Sequence, residues 1–182
     1  MAKITVTGLA QWAKVFEQNR DLLGYQGQWA ETDGRCSIEM VLDEDNAKRI
    51  TASGCMSKGK EDPEGRGNIF KFNRKFSTPN DWDGEAPSVY KPDGTKWDYE
   101  ADGTIGNGSE VLVELDVYKN KGYATYTTRL ERVKVINLVE YSSDGSGKND
   151  PFTANIAASE STVIAASQTP EKAVEAFDDI PF

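Results

Sequence analysis

Nine consecutive residues, Glu110-Val111-Leu112-Val113-Glu114-Leu115-Asp116-Val117-Tyr118, set Val111, Val113, Leu115 and Val117 on one face and Glu110, Glu114 and Asp116 on the other. That period of two belongs to a strand with one dry and one wet face, so a sheet rather than a helical bundle organises the chain. Lys119-Asn120-Lys121-Gly122 reads as a turn, and a second β-rich run from Tyr123 to Tyr141 completes a long hairpin. Its apolar phase slips between Leu130 and Val133, which places a bulge near Glu131. Cys36–Leu42 and Ile69–Phe76 are further strands, with Phe70 and Phe72 expected in the core and Lys71, Asn73 and Lys75 on the opposite face. Val89-Tyr90 and Trp97-Asp98-Tyr99 are expected as short strands, and Ala47–Ser53 as a short helix stopped by Gly54. The expected fold is therefore all-β, a five-stranded Greek-key barrel of the OB type with long loops, and a β-sandwich is the rival architecture.

The chain has no histidine and only two cysteines, Cys36 and Cys55. Ser-His and Cys-His nucleophile pairs, His-containing zinc sites and four-thiolate zinc sites are all excluded. Carboxylate clusters at Asp43-Glu44-Asp45, Asp81 with Asp83, and Asp98 with Glu100 and Asp102 read as turn and solubility residues, since none fits a full calcium loop. Gly103–Gly108 is glycine-rich but precedes a strand, which does not suit a dinucleotide cradle. No metal or cofactor is expected, and no enzyme. The first residues carry no apolar run long enough for a secretory signal, and no membrane span is present in the sequence, so a cytoplasmic protein is expected.

The net charge of −9 argues at first against nucleic acid, but it is unevenly spread. Residues 1–141 hold 19 basic and 23 acidic side chains, whereas residues 142–182 hold 2 basic and 7 acidic. Residues 46–75 carry eight basic against three acidic groups, and residues 119–134 five against one. Two basic segments thus lie within an acidic protein. After Tyr141 the composition turns to Ser, Gly, Ala, Asn and Asp, so three parts are expected: a domain over 1–141, a flexible linker over 142–176, and a tip over 177–182. The tip, Phe177-Asp178-Asp179-Ile180-Pro181-Phe182, ends in large apolar residues that a disordered acidic tail has no need of unless a partner receives them.

Single-strand binding needs cations along the phosphates and rings beneath the bases. Lys58, Lys60, Arg66, Lys71, Arg74, Lys75, Lys119, Lys121 and Arg129 are the candidate cations. Trp82, Trp97, Tyr118, Tyr123 and Tyr126 are the candidate rings. Trp12, in an amphipathic-looking N-terminal stretch, and Trp29, before the first expected strand, are divided between core packing and exposure. A carbohydrate-binding β-sandwich would use the Trp, Tyr and Asp loops, and a metal-dependent hydrolase the acidic clusters, but neither gives the basic hairpin or the tip a task.

The strand Phe70-Lys71-Phe72 carries a resemblance to phage-encoded single-stranded DNA-binding proteins of the short-tailed-phage type. So do the run Gly106–Val113 leading into Tyr118-Lys119, and the strand Arg129–Tyr141. Asp178-Asp179-Ile180-Pro181-Phe182 is similar to the acidic tip of bacterial single-stranded DNA-binding proteins. The resemblance implies an OB fold that coats single strands in phage replication, recombination and repair in the cytoplasm of a bacterial host. It also implies a tail that contacts polymerase, helicase or primase, and recombination nuclease, and allows a homodimer. Asp178, Asp179, Ile180, Pro181 and Phe182 would carry those contacts, and Phe182 matches the terminal aromatic residue of the phage type.

Overall fold

In a computed structural model the described residues are 2–55, 57–77, 84–119, 122 and 124–140. The alternating run forms a strand, Glu110–Lys119, whose buried Val111, Val113, Leu115 and Val117 line the core. In chain order the strands are β1 (Ala2–Lys14), β2 (Arg35–Leu42), β3 (Lys60–Glu61), β4 (Asn68–Lys75), β5 (Ser88–Tyr90), β6 (Glu110–Lys119) and β7 (Tyr126–Asn137). Helices α1 (Glu44–Ala52) and α2 (Tyr99–Asp102) interrupt them. Among the described residues the seven strands join one sheet in the order β3-β4-β2-β1-β6-β7-β5, antiparallel except for β5 beside β7. The all-β expectation holds, but the five-stranded barrel is corrected to one open seven-stranded sheet: two short strands, β3 and β5, add edges that their two- and three-residue lengths hide from periodicity. Met1–Tyr141 is a compact unit, whereas the expected linker over 142–176 and tip over 177–182 lie outside the described residues.

β1 holds the sheet together. Its first half pairs with β6 from Ala2↔Val117 to Leu9↔Glu110, and its second half pairs with β2 from Leu9↔Val41 to Lys14↔Ser37. Gly8 sits where the strand passes from one partner to the other, and a Cβ there would lie 2.4 Å from the Val41 carbonyl oxygen. Only glycine fits that approach. The N-terminal segment therefore alternates as Ile4, Val6, Gly8 and Ala10, a pattern whose small members hide the strand from hydropathy.

Between β6 and β7 the register shifts from Glu114↔Arg132 to Leu115↔Leu130, which leaves Glu131 as the extra residue of a bulge, where the slipped phase had put it. At the bulge the two ends of the sheet approach one another. Arg74 of β4 donates to the Leu130 carbonyl at 3.3 Å and to Glu131 Oε1 at 2.7 Å, both on β7. The same guanidinium donates to the Glu85 and Gly84 carbonyls, both at 2.9 Å. A side chain rather than a backbone ladder thus ties β4 to β7.

The core within this curl contains Val6, Ile38, Met40, Leu42, Ile50, Leu115, Leu130 and Val133. Phe70 and Phe72 are 2% and 1% exposed and stack at 6.3 Å between ring centroids. Helix α1 begins three residues before the expected start because Asp43 caps it, its carboxylate accepting from the Asn46 N–H at 2.8 Å. Asp98 caps α2, accepting from the Glu100 N–H at 3.0 Å, so Tyr99 opens a helical turn instead of ending a strand. Asp93 accepts from both the N–H and the hydroxyl of Thr95 in the turn after β5. Asp43, Asp93 and Asp98 are thereby engaged locally, and Asp81 and Asp83 lie outside the described residues. Among the described residues no helix is long and apolar enough to cross a membrane.

Candidate nucleic-acid interface

Strand alternation decides what the outer face of β2 and β4 carries. With Cys36, Ile38 and Met40 turned inward beside Arg74, Phe72 and Phe70, the outward pairs are Arg35↔Lys75, Ser37↔Asn73 and Glu39↔Lys71. Lys14 of β1 joins the same row beside Ser37. The face therefore gathers Lys14, Arg35, Lys71 and Lys75 against Glu39, a local cationic surplus in an acidic chain. The Lys71–Glu39 contact at 3.3 Å joins partly exposed side chains, so it contributes about 0–1 kcal/mol and is readily exchanged for a phosphate.

A folded loop, residues 15–34, overhangs this face. Arg20 fastens its ends: Nε donates to the Asp33 carbonyl at 2.8 Å, Nη1 donates to the Glu17 carbonyl at 2.7 Å, and the guanidinium lies 4.0 Å from the Phe76 ring centroid. Paired backbone bonds between Asp21 and Arg35 then anchor the loop to the start of β2. Trp29 is clamped on the sheet, with the Arg35 guanidinium 3.6 Å from its ring centroid. Gly24 packs against the indole so closely that a Cβ would meet Trp29 Cδ1 at 2.0 Å, and its φ is +63°. Trp29 is thus a positioning residue, with Arg35 and Gly24 packed against it. The ring it leaves to solvent is Tyr25, 76% exposed.

Between loop and sheet lies a cavity of about 380 Å³ lined by Asp21, Tyr25, Gln28, Trp29, Arg35, Ser37, Lys71 and Asn73. Arg35 Nε is buried with no hydrogen-bond partner among the described residues. Burial lowers the pKa of this guanidinium and Tyr118 counters it; burial pushes the Tyr118 phenol up and Arg35 draws it part of the way back. Two cationic side chains, Arg35 and Lys71, and an exposed ring in one cleft suit a ligand with an anionic group and an aromatic face.

The expected site residues separate into groups. Lys71 and Lys75 stand on this face, and Lys60 of β3 pairs with Ile69 at its margin. Tyr118 faces Arg35 electrostatically, and exposed Lys119 ends β6 opposite Tyr126. Tyr126 is 43% exposed but lies against Gly54 beyond α1, and Lys58 lines a different groove along α1.

Arg66 is held by Asp62, with Nε to Oδ2 at 2.8 Å, and by Glu64 at 3.0 Å. Arg74 is the tie between β4 and β7, its side chain 10% exposed. Arg129 lies beside it, paired with Asp116 at 3.0 Å and with Glu131, its side chain 14% exposed. Trp97 is 8% exposed, packs on Phe16 and donates from Nε1 to the Gly103 carbonyl at 3.0 Å. Arg74, Arg129 and Trp97 are thus largely buried, each with partners inside the fold.

Trp82, Lys121, Tyr123, Asp178, Asp179, Ile180, Pro181 and Phe182 lie outside the described residues. Tyr25, Lys14 and Arg35 escaped sequence reasoning. The signal for Tyr25 was the Gly24-Tyr25-Gln26-Gly27 run, which marks a loop tip without showing that the tip folds back on the sheet.

Comparison with solved structures gives several similar chains, all at low identity, of which three are described below. No family model matches the chain, and no curated protein does. The crystal structure of gp2.5, a single-stranded DNA-binding protein encoded by bacteriophage T7, shares 18% identity over 80% of this chain and 97% of that one, with a TM-score of 0.49. The single-stranded DNA-binding protein from bacteriophage Enc34 shares 15% identity over 84% of this chain and 89% of that one, with a TM-score of 0.48. The same protein in complex with single-stranded DNA shares 14% over 76% and 88%, with a TM-score of 0.49.

Proposed function

We propose that the chain is a non-enzymatic, sequence-independent single-stranded DNA-binding protein, and that the strand lies along the outer face of β2 and β4 beneath the loop 15–34. The observation that carries this is the Arg35 site: Arg35 and Lys71 line one cleft together with the exposed ring of Tyr25. Cations that track phosphates and a ring that accepts any base give affinity without sequence preference. The curl of the sheet order β4-β2-β1-β6-β7, with Arg74 tying β4 to β7, supports an all-β scaffold of the single-stranded DNA-binding type beneath the face.

Lys14, Arg35, Lys71 and Lys75 neutralise phosphates, and Tyr25 stacks on a base. Lys60, Tyr118 and Lys119 extend the margin of this face, and Lys121, Tyr123 and Trp82 remain DNA-contact candidates from the sequence alone. In this reading the protein coats single strands during phage replication, recombination and repair. The tip from Asp178 to Phe182 competes with DNA through its carboxylates and recruits replication proteins through Ile180, Pro181 and Phe182.

The test is a titration of fluorescent oligothymidine, with a duplex of equal length as control, across a range of salt concentrations. Single-strand preference is expected, with log affinity falling against log salt by about 0.7 per neutralised phosphate. Lys71→Ala is expected to reduce that slope by about 0.7. Binding to neither oligonucleotide, or a slope independent of salt, would overturn the proposal.

A further inference from the structure

We propose that Trp12 is a second base-stacking platform, which carries the bound strand off the β2–β4 face and across β1; this rests on the single-strand reading above. Trp12 is 66% exposed and sits in left-handed backbone, with φ +49°. For a bulky side chain that conformation is an outlier, and it persists only where the surroundings hold it. Here they do. Two residues, Trp12 and Ala13, stand where β2 offers one, between Gln11↔Glu39 and Lys14↔Ser37, and the Trp12 N–H donates to Asn107 Oδ1 at 2.8 Å. Glycine or asparagine would make this bend without the steric penalty. The chain instead keeps a large ring there, and among the described residues that ring has no aromatic or cationic stacking partner.

Its position gives the ring a use. Lys14, two residues further along β1, pairs with Ser37, which lines the Arg35 cavity. The bulge fits Gln11 to Lys14 into the two-residue step from Glu39 to Ser37, so at about 3.3 Å per residue Trp12 lies within about 7 Å of that wall along β1, the span of about two stacked nucleotides. A strand whose base rests on Tyr25 and whose phosphates meet Arg35 and Lys14 arrives at the indole. Exposed Leu138 and Val139 follow beyond the 106–109 segment and would suit a protein contact, but they bring no cation. Trp12 has Lys14 and Gln11 as neighbours, which favours a polyanion.

The experiment titrates oligothymidine into the full chain and into Trp12→Phe and Trp12→Asn, reading both affinity and tryptophan emission, with urea unfolding of each. Asparagine tolerates the left-handed backbone, so Trp12→Asn is expected to keep its urea midpoint while binding about 5- to 140-fold more weakly, the equivalent of one base–ring stack at about 1–3 kcal/mol. Trp12→Phe is expected to retain most of the affinity and to lose a share of the emission quenching. If the wild-type chain binds and Trp12→Asn matches it, the platform role is overturned while the Arg35 site stands. The platform role is overturned equally if Trp12→Asn changes only self-association, measured by sedimentation. If the wild-type chain fails to bind, the single-strand reading falls and this one with it.

Discussion

Arg74 separates a structural cation from a binding one. Its guanidinium, 10% exposed, donates to the carbonyls of Gly84, Glu85 and Leu130 and to Glu131, so Arg74→Ala removes the tie between β4 and β7 and strands three carbonyl acceptors. Breaking a buried pair by deleting one partner costs about 3–5 kcal/mol, chiefly from the charge left behind. Glu131 keeps Arg129, which holds the loss near the lower end, about 3–4 kcal/mol. With a urea dependence of about 2 kcal/mol per molar, the unfolding midpoint should fall by about 1.5–2 M. The assay is equilibrium urea unfolding followed by tryptophan emission, paired with oligothymidine titration of the folded protein. Arg74→Ala should leave the salt dependence of DNA binding unchanged, whereas Lys71→Ala should leave the midpoint nearly unchanged and lower the salt slope. A loss below about 1 kcal/mol, together with a slope reduced by about 0.7, would refute the assignment of Arg74 to the fold.

Gly24→Ala should weaken oligothymidine binding several-fold with little loss of global stability. Its Cβ would collide with Trp29 and prise the indole from Arg35; wild-type affinity in the same titration would refute the positioning role of Trp29. Burial pushes the Cys36 thiol up to about 11, so the native state holds the proton after the unfolded chain has released it. This contribution to stability is complete below about pH 9 and is lost as pH rises toward 11, by about 2–3 kcal/mol relative to Cys36→Ala. Parallel pH profiles for the two proteins in urea unfolding would refute it.

The two long strands β6 and β7 were legible because every inward position from Val111 to Val117 is a large aliphatic residue, and a slip in that rhythm located the Glu131 bulge. β1 was not legible, since Gly8 and Ala10 occupy inward positions at which hydropathy registers almost nothing. In the candidate site, Lys71 and Lys75 follow from alternation along β4. Arg74 does too, because parity turns it inward beside Cys36, yet counting basic residues along the chain conceals that. Trp97 sits among Asp and Gly residues that suggest an exposed loop, and only the arrival of Phe16 from a distant segment buries it. The Arg35–Trp29–Gly24 stack has no local signature either: its parts become adjacent only when Asp21 pairs with Arg35.

The double partnership of β1 also sets a timetable. Ile4 pairs with Leu115 and Val6 with Val113, contacts separated by more than a hundred residues, while β7 must arrive before Arg74 finds Glu131. During synthesis at about 5–20 residues per second, some 5–21 s pass between completion of β1 and completion of its partner β6. Throughout that interval one edge of β1 has no partner, and an open edge is a template for a neighbouring chain. Crowded polysomes should therefore favour misassembly through β1, and a chaperone that holds its N-terminal half should raise the yield of native protein more than one acting after release.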